Sequence, residues 1–467
     1  MLLLLLPLLA AASDGMFDVT AYGGVGDGTT LNTAAFAAAI AAAHTYYTST
    51  GLPGTVLAPA PGTYFSGQIV LQSGVTLSVA PSARLLASAN QSDYPSDSDS
   101  WAFVLATNAT DLAITGGGTL DGNYASYIGG FSVENDEFIP AVWPVCPGGG
   151  ECRPRLVKLI SSTNIAVHSV TFLGSPDWTF HLLNCSYVHI FNWTQHGDER
   201  WPNNDGVDLD NCNHVLLEDS TVDTADDGVC IKGTPGMGPS TNVTVRRCTL
   251  RSRSSAVKFG SNCPNLMSGY VFEDLLIHDS NRGLALQARD GGLLQDIVFR
   301  RIAINGTRFW PFKWWGDGGA IYISSMLRTP ADPGTRIANI TFEDITAFAE
   351  NAVVLSGAAP GLPLQGVTLR RVNVTLTKLG NYSVSSVSGP TIEYDPHTPQ
   401  VPGRRSMAGW MPGVLVEGVQ GLLLEEVNIA FDNAKYQAYW GAAPCINATA
   451  AGAYVNVTGG SCVPPRG

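Results

Sequence analysis

One pattern recurs along this chain: a turn residue, then alternating apolar positions, then polar residues. It reads Asn164-Ile-Ala-Val-His-Ser-Val-Thr-Phe172, then Tyr187-Val-His-Ile-Phe-Asn-Trp193, then Asn213-His-Val-Leu-Leu-Glu-Asp-Ser-Thr-Val222. Further copies begin at Asn242, Tyr270, Asp296, Asn339, Gly366 and Gly421. The starts lie mostly about 23 to 29 residues apart, the range of stacked supersecondary repeats. Alternation with period two marks strands with one buried face. A unit of two or three short strands cannot bury that face alone, but stacked units can. The spacing of leucine-rich repeats, the competing solenoid, is absent. The pattern predicts an all-β chain folded as a right-handed, single-stranded parallel β-helix. Its sheets would run the length of the molecule, with side chains stacked at about 4.8 Å between coils.

Composition agrees: Gly is abundant at 51 residues and only 14% of residues are charged, which favours short strands and turns over helices. The one convincing helix is Ala-rich, from Asn32 to His44, with Asn or Thr as its cap. Placed before the coils, it would cover their open N-terminal end. Insertions at Gly129–Glu151, Thr307–Asp317 and Tyr382–Met411 break the period, and such insertions usually share one face. Met1 to Ala12 reads as a signal peptide without a basic start, too short to span a bilayer. Residues 13–430 then form one β-helix domain and residues 431–467 a C-terminal tail or cap. A secreted monomer with no membrane attachment is expected. Sequons such as Asn108, Asn184, Asn192, Asn242 and Asn339 fit a glycoprotein, although Asn-Val-Thr is also a natural entry from turn to strand. Of nine cysteines, Cys146 and Cys152 flank a short loop and Cys445 and Cys462 lie in the tail. Cys185, Cys212, Cys230, Cys248 and Cys263 read as buried thiols. No Cys/His spacing suggests zinc, and neither metal nor cofactor is expected.

The net charge of −13 argues against nucleic acid as partner and requires a local cationic cluster if the substrate is a polyanion. Against this background two turns concentrate carboxylates. Asn203-Asn204-Asp205-Gly206-Val207-Asp208 is followed one coil later by Asp226-Asp227-Gly228-Val229-Cys230-Ile231-Lys232. Ionised carboxylates repel, so stacking Asp205 against Asp226-Asp227 needs a reason. Hydrolysis of a glycosidic bond supplies one, because it uses one protonated and one ionised carboxyl group. Asp208 and Asp210 read instead as solvated turn positions.

These motifs resemble glycoside hydrolase family 28, the polygalacturonase-like pectinases with a pectin-lyase-like fold. Phe17-Asp-Val-Thr-Ala-Tyr-Gly-Gly-Val-Gly-Asp-Gly28 is similar to the family's opening segment, and Ser175-Pro-Asp-Trp-Thr-Phe-His181 to its Ser-Pro-x-Trp stretch. Asn203-Asn204-Asp205 matches its Asn-Thr-Asp motif with Thr replaced, and Asp226-Asp227 its Asp-Asp motif. The family's Gly-His-Gly and Arg-Ile-Lys are missing: Ser255 stands for the His, and Ala285 and Gln287 for the Arg and Lys. A divergent branch with Lys-Phe-Gly, Asn-Arg-Gly, Gln-x-Arg-Asp and Trp-Trp-Gly segments is the better match. The resemblance implies inverting hydrolysis of a pectin-like or other acidic polysaccharide, with Asp226 as general acid and Asp205 and Asp227 holding and deprotonating the water. Lys258, Arg282 and Arg289 would then replace the lost cations around the sugar, with Gln287 as a further substrate-binding residue. His181 would line the groove, and Trp315 and Tyr322 would wall its subsites, although all three aromatic groups have ordinary packing roles too. Two other readings stay open: a β-helix lyase with a Lys or Arg base, and a carbohydrate-binding β-helix without turnover.

Overall fold

The computed structural model describes residues 15–432, except 142, 147–151, 309–317, 326, 328–331, 352, 358–360 and 381–412, together with the strand backbones Cys445–Ala448, Gly452–Val455 and Gly460–Ser461. The Met1–Ala12 segment, Trp315, most of the Thr307–Asp317 and Tyr382–Met411 insertions, and Cys462 lie outside the described residues.

The chain winds into a parallel β-solenoid. One 13-stranded sheet takes a single strand from each successive coil, and a 21-stranded sheet takes the rest apart from one two-stranded hairpin. Seven strands of the first sheet matter below: β1 (Arg155–Ile160), β2 (Phe180–Leu183), β3 (Val207–Asp210), β4 (Val229–Lys232), β5 (Ser255–Asn262), β6 (Arg282–Arg289) and β7 (Ile321–Ser325). Their register aligns Leu159, Leu182, Leu209, Ile231, Phe259, Leu286 and Ile323 in one column, all fully buried. The neighbouring column alternates to the other face: Lys158, His181, Asp208, Cys230, Lys258, Ala285 and Tyr322. Alternation along each strand thus sorts core from chemistry.

In the larger sheet each coil bends at a residue with positive φ: Asn164, Tyr187, His214, Asn242, Gly269, Asp296, Asn339, Gly366 and Gly421. These are the repeat starts read from the sequence, displaced by one at His214 and Gly269. Left-handed backbone is cheapest for Gly, Asn and Asp, which explains why those types head the repeats. Inside, identical positions stack: the rings of Phe272, Phe299 and Phe342 follow one another at 4.9 Å, close to the strand spacing.

The helix α1 (Thr33–Thr50) runs six residues beyond His44 and ends at Gly51, whose φ is +74°. Thr and Tyr are weak helix formers, but Tyr46 packs against the core and Tyr47 donates to Asp111 at 2.6 Å, so tertiary contacts override propensity. Asn32 makes no side-chain cap; its amide donates instead to the carbonyls of Val25, Thr30 and Phe65. Phe36, Ile40 and Ala43 join the main core.

An antiparallel hairpin, Ile128–Ser132 with Glu137–Pro140, rises from the connection that enters β1. Arg253, on the turn entering β5, ties it down through Asp136 Oδ2 at 3.0 Å and the Glu199 carbonyl at 2.8 Å. Cys146 and Cys152 form a disulfide, and the five internal cysteines are buried thiols. Among the described residues no helix is long and apolar enough to cross a membrane.

Candidate active site

The three carboxylates sit in turns that feed β3 and β4, not in the strands themselves. Glycine makes their approach possible. The Gly206 amide donates to the Asp227 carbonyl at 2.8 Å, and a Cβ at Gly206 would meet the Gly228 carbonyl oxygen at 2.4 Å. A Cβ at Gly228 would likewise meet the Ala256 oxygen at 2.6 Å. Asn204 then fixes one turn against the other. Its buried Oδ1 accepts from Thr224 Oγ1 at 2.8 Å, the Ala225 amide at 2.9 Å and the Asp226 amide at 3.1 Å. The Asn of Asn-Asn-Asp is therefore a clamp on the Asp-Asp turn.

Asp205, Asp226, Asp227 and Lys258 line one cleft with Trp178, Asn203 and Lys232, beside Gly260, Ser261 and Asn262. One oxygen each of Asp205 and Asp227 lie within 4.8 Å of one another, a gap that one water can bridge. Asp227 is held at both ends: Oδ2 by Lys258 Nζ at 2.7 Å, Oδ1 by Ser254 Oγ at 2.8 Å. Lys232 Nζ lies 3.0 Å from Asp205 Oδ2 and 2.8 Å from Asp208 Oδ1. Asp226 has no ammonium in contact among the described residues; its Oδ1 accepts from the Asp227 amide at 2.9 Å. Burial, then the charges of Asp205 and Asp227, raise its pKa well above the ordinary aspartate value. Burial also raises that of Asp205, with Lys232 opposing it. Burial works against the Lys258 ammonium, but Asp227, Cys230 and Asp226 together more than offset it, and its pKa stands above that of ordinary lysine.

This is a carboxylate cleft of the glycosidase kind, on a solenoid, and a family profile agrees: the one described as Glycosyl hydrolases family 28 matches residues 49–390. The chain belongs to glycosyl hydrolases family 28. It is accordingly a glycoside hydrolase acting on O-glycosyl bonds. Family 28 relatives include a probable polygalacturonase of Vitis vinifera, 29% identical over 382 residues, covering 76% of this chain and 73% of that protein. An endo-polygalacturonase of Pectobacterium carotovorum subsp. carotovorum is 23% identical over 346 residues, 70% of this chain and 80% of its own. Among solved structures, the family 28 exopolygalacturonase of Yersinia enterocolitica superposes with a TM-score of 0.67 at 17% identity, over 97% of this chain and 80% of that one. The exopolygalacturonase of Thermotoga maritima gives 0.62 at 21% identity, over 78% and 88%. At these identities the structures speak for the fold alone.

The remaining described residues picked out in this family 28 chain lie on neighbouring coils and are not among those that line the cleft. Gln287 and Arg289 are the register partners of Gly260 and Asn262, two coils beyond Asp226-Asp227, and both are buried. Arg282 is buried too, with its guanidinium 4.8 Å from the Tyr322 ring centre and Nη1 donating to Gln287 Oε1 at 3.2 Å. Tyr322 is only 1% exposed, so its ring serves Arg282. His181 lies one coil before Asp208, with Arg155 Nη1 at 2.6 Å from its Nδ1. Burial and the cations Arg155, Lys158 and Lys232 push its pKa well below the ordinary value, so its 3.6 Å contact with Asp210 is between a neutral ring and a carboxyl.

One reading is corrected and one residue is added. Asp208 and Asp210 are not solvated turn residues: they are 0% and 5% exposed and belong to β3. Lys232, passed over in the sequence, is at the centre of the site. Its signal was the alternation Cys230-Ile231-Lys232, which puts Lys232 on the chemical face in register with Asp210.

Proposed function

We propose that this family 28 hydrolase cleaves an acidic, pectin-like polysaccharide with inversion at the anomeric carbon. The carrying observation is the uneven distribution of lysines over the three carboxylates. Asp205 and Asp227 each hold an ammonium, whereas Asp226 is buried beside two carboxylates, an environment that keeps it protonated. Asp226 then gives its proton to the leaving glycosidic oxygen. Water bridging Asp205 and Asp227 attacks from the opposite face.

The polygalacturonase names of the relatives support pectin as the substrate class. With Ser255, Ala285 and Gln287 in place of the family's His, Arg and Lys, the uronate carboxylate falls to Lys258, Arg282 and Arg289, with Gln287 and His181 holding hydroxyls. Tyr322 contributes by seating Arg282. Right-handed winding follows the strong preference of parallel crossovers, and α1, packed on the first strands, closes the N-terminal end. Secretion follows from the substrate's place in cell walls and from the apolar first residues. A lyase with Lys258 as its base would need that lysine neutral, and the Asp227 contact disfavours this.

The test is product analysis on a panel of pectic polymers with NMR of the released anomer. Wild type should release reducing ends of inverted configuration, and Asp226→Asn should be slower by at least ~10³-fold. Retained configuration, unsaturated products, or equal rates for the two proteins would defeat the proposal.

A further inference from the structure

The least expected group in the cleft is Lys232. It ends β4 with its side chain 13% exposed, and three contacts surround its ammonium. These are Asp205 Oδ2 at 3.0 Å, Asp208 Oδ1 at 2.8 Å and the face of Trp178, whose ring centre is 3.4 Å away. Asp208 is wholly buried one coil earlier and belongs to the rigid sheet, so it anchors the lysine rather than following it. The consequence falls on Asp205. Its Oδ2 is gripped, while its Oδ1 is buried and has no hydrogen-bond partner among the described residues. Asp227 differs, because Lys258 and Ser254 occupy both of its oxygens.

We propose that Lys232 is a positioning residue that holds Asp205 by Oδ2 in the orientation from which its carboxylate takes the proton of the attacking water. The proposal rests on the hydrolase reading and divides its water-activating pair: Asp205 is the base, and Asp227 orients the water. The step balances. A water O–H bond breaks, its proton goes to the Asp205 carboxylate, and the oxygen bonds to the anomeric carbon. The glycosidic C–O bond breaks, and its oxygen takes the proton of Asp226. Asp208 and Trp178 act one step further out, by fixing the ammonium. A lysine suits this task, since a compact ammonium can touch two carboxylates and an aromatic face at once.

The test compares wild type with Lys232→Met, Lys232→Arg and Lys232→Met/Asp208→Asn on the pectic polymer that wild type cleaves. The double variant guards against misfolding, because Lys232→Met alone leaves Asp208 buried without its counter-ion. For both Met-containing variants kcat should fall roughly 10²-fold, with KM within about threefold. The acid limb of the kcat profile should move to higher pH, because Asp205 without the ammonium holds its proton more strongly. Of the other charges facing Asp205, Asp208 is removed only in the double variant, whereas Asp226, Asp227 and Lys258 from the coils beyond, and Arg155 beside neutral His181 from the coils before, remain in place. Lys232→Arg keeps the charge and should recover kcat to within about tenfold of wild type, with the acid limb restored. A purely structural role would lower the melting temperature and leave the acid limb where it was. If the folded double variant keeps kcat within about threefold and the limb does not move, the Lys232 proposal is overturned while the hydrolase reading stands. If wild type itself cleaves no pectic polymer, that reading fails and takes the proposal with it.

Discussion

Asp226 shows how catalysis and stability oppose each other at a single residue. In the unfolded chain it ionises near 3.8, whereas in the folded chain burial and two carboxylates hold the proton to well above that value. Between those two values unfolding releases a proton, so this group's contribution to stability falls as pH rises above about 4. Asp226→Asn removes the titration and keeps the shape. Thermal melts should show the variant more stable than wild type by roughly 1–3 °C at pH 7, with the gap closing below about pH 4. A constant gap across pH would show that Asp226 ionises normally. The same residue was legible as a functional one, because adjacent carboxylates before a glycine have few other uses. Lys232 was not, since nothing in a local pattern says that an alternating strand position will meet a carboxylate 27 residues earlier.

At the scale of the element, the turn columns carry the fold. The sequon asparagines Asn108, Asn184, Asn192, Asn242 and Asn339 all have positive φ, so each is first of all a turn residue. Asn339, for instance, sits at φ +56° and donates to Asp296 Oδ1 at 3.1 Å on the coil before. Asn339→Gly should leave the denaturant midpoint nearly unchanged. Asn339→Val should lower stability by about 1–2 kcal/mol, because a β-branched residue resists left-handed backbone. Equal effects of the two would mean that the side-chain contact, not the backbone, sets the cost. The element types and most repeat starts were readable in advance for this reason: Gly, Asn and Asp advertise left-handed turns, and period-two alternation advertises strands. The far end of α1 was not readable, because Tyr46 and Tyr47 are held by distant partners that outweigh their own preference.

Across the whole molecule, a charge ladder runs up the outside of the larger sheet. Glu218, Arg246, Glu273, Arg300, Glu343, Arg370 and Glu425 stand in register on successive coils, alternating in sign. Each is followed by a residue of the same sign, and Arg247, Arg301 and Arg371 each bond back to the acidic pair of the preceding coil. Exposed ion pairs are individually weak, but a ladder opposes slippage by one coil, which would set like charges side by side. Glu273→Lys places a third cation between Arg246 and Arg300. It should lower the melting temperature by several degrees at low salt and by less at 0.5 M NaCl, and Arg300→Glu should restore part of the loss. A salt-independent effect would instead point to lost packing. By itself the sequence determined the solenoid, its parallel strands, the carboxylate turns and the reaction class, because these follow from local conformational preference repeated at a fixed period. Only the tertiary structure decided which lysine meets which aspartate, that Asp208 is buried, and which oxygen of Asp205 Lys232 holds. Those facts depend on inter-coil register and depth of burial, which arise only when one coil is laid upon the next.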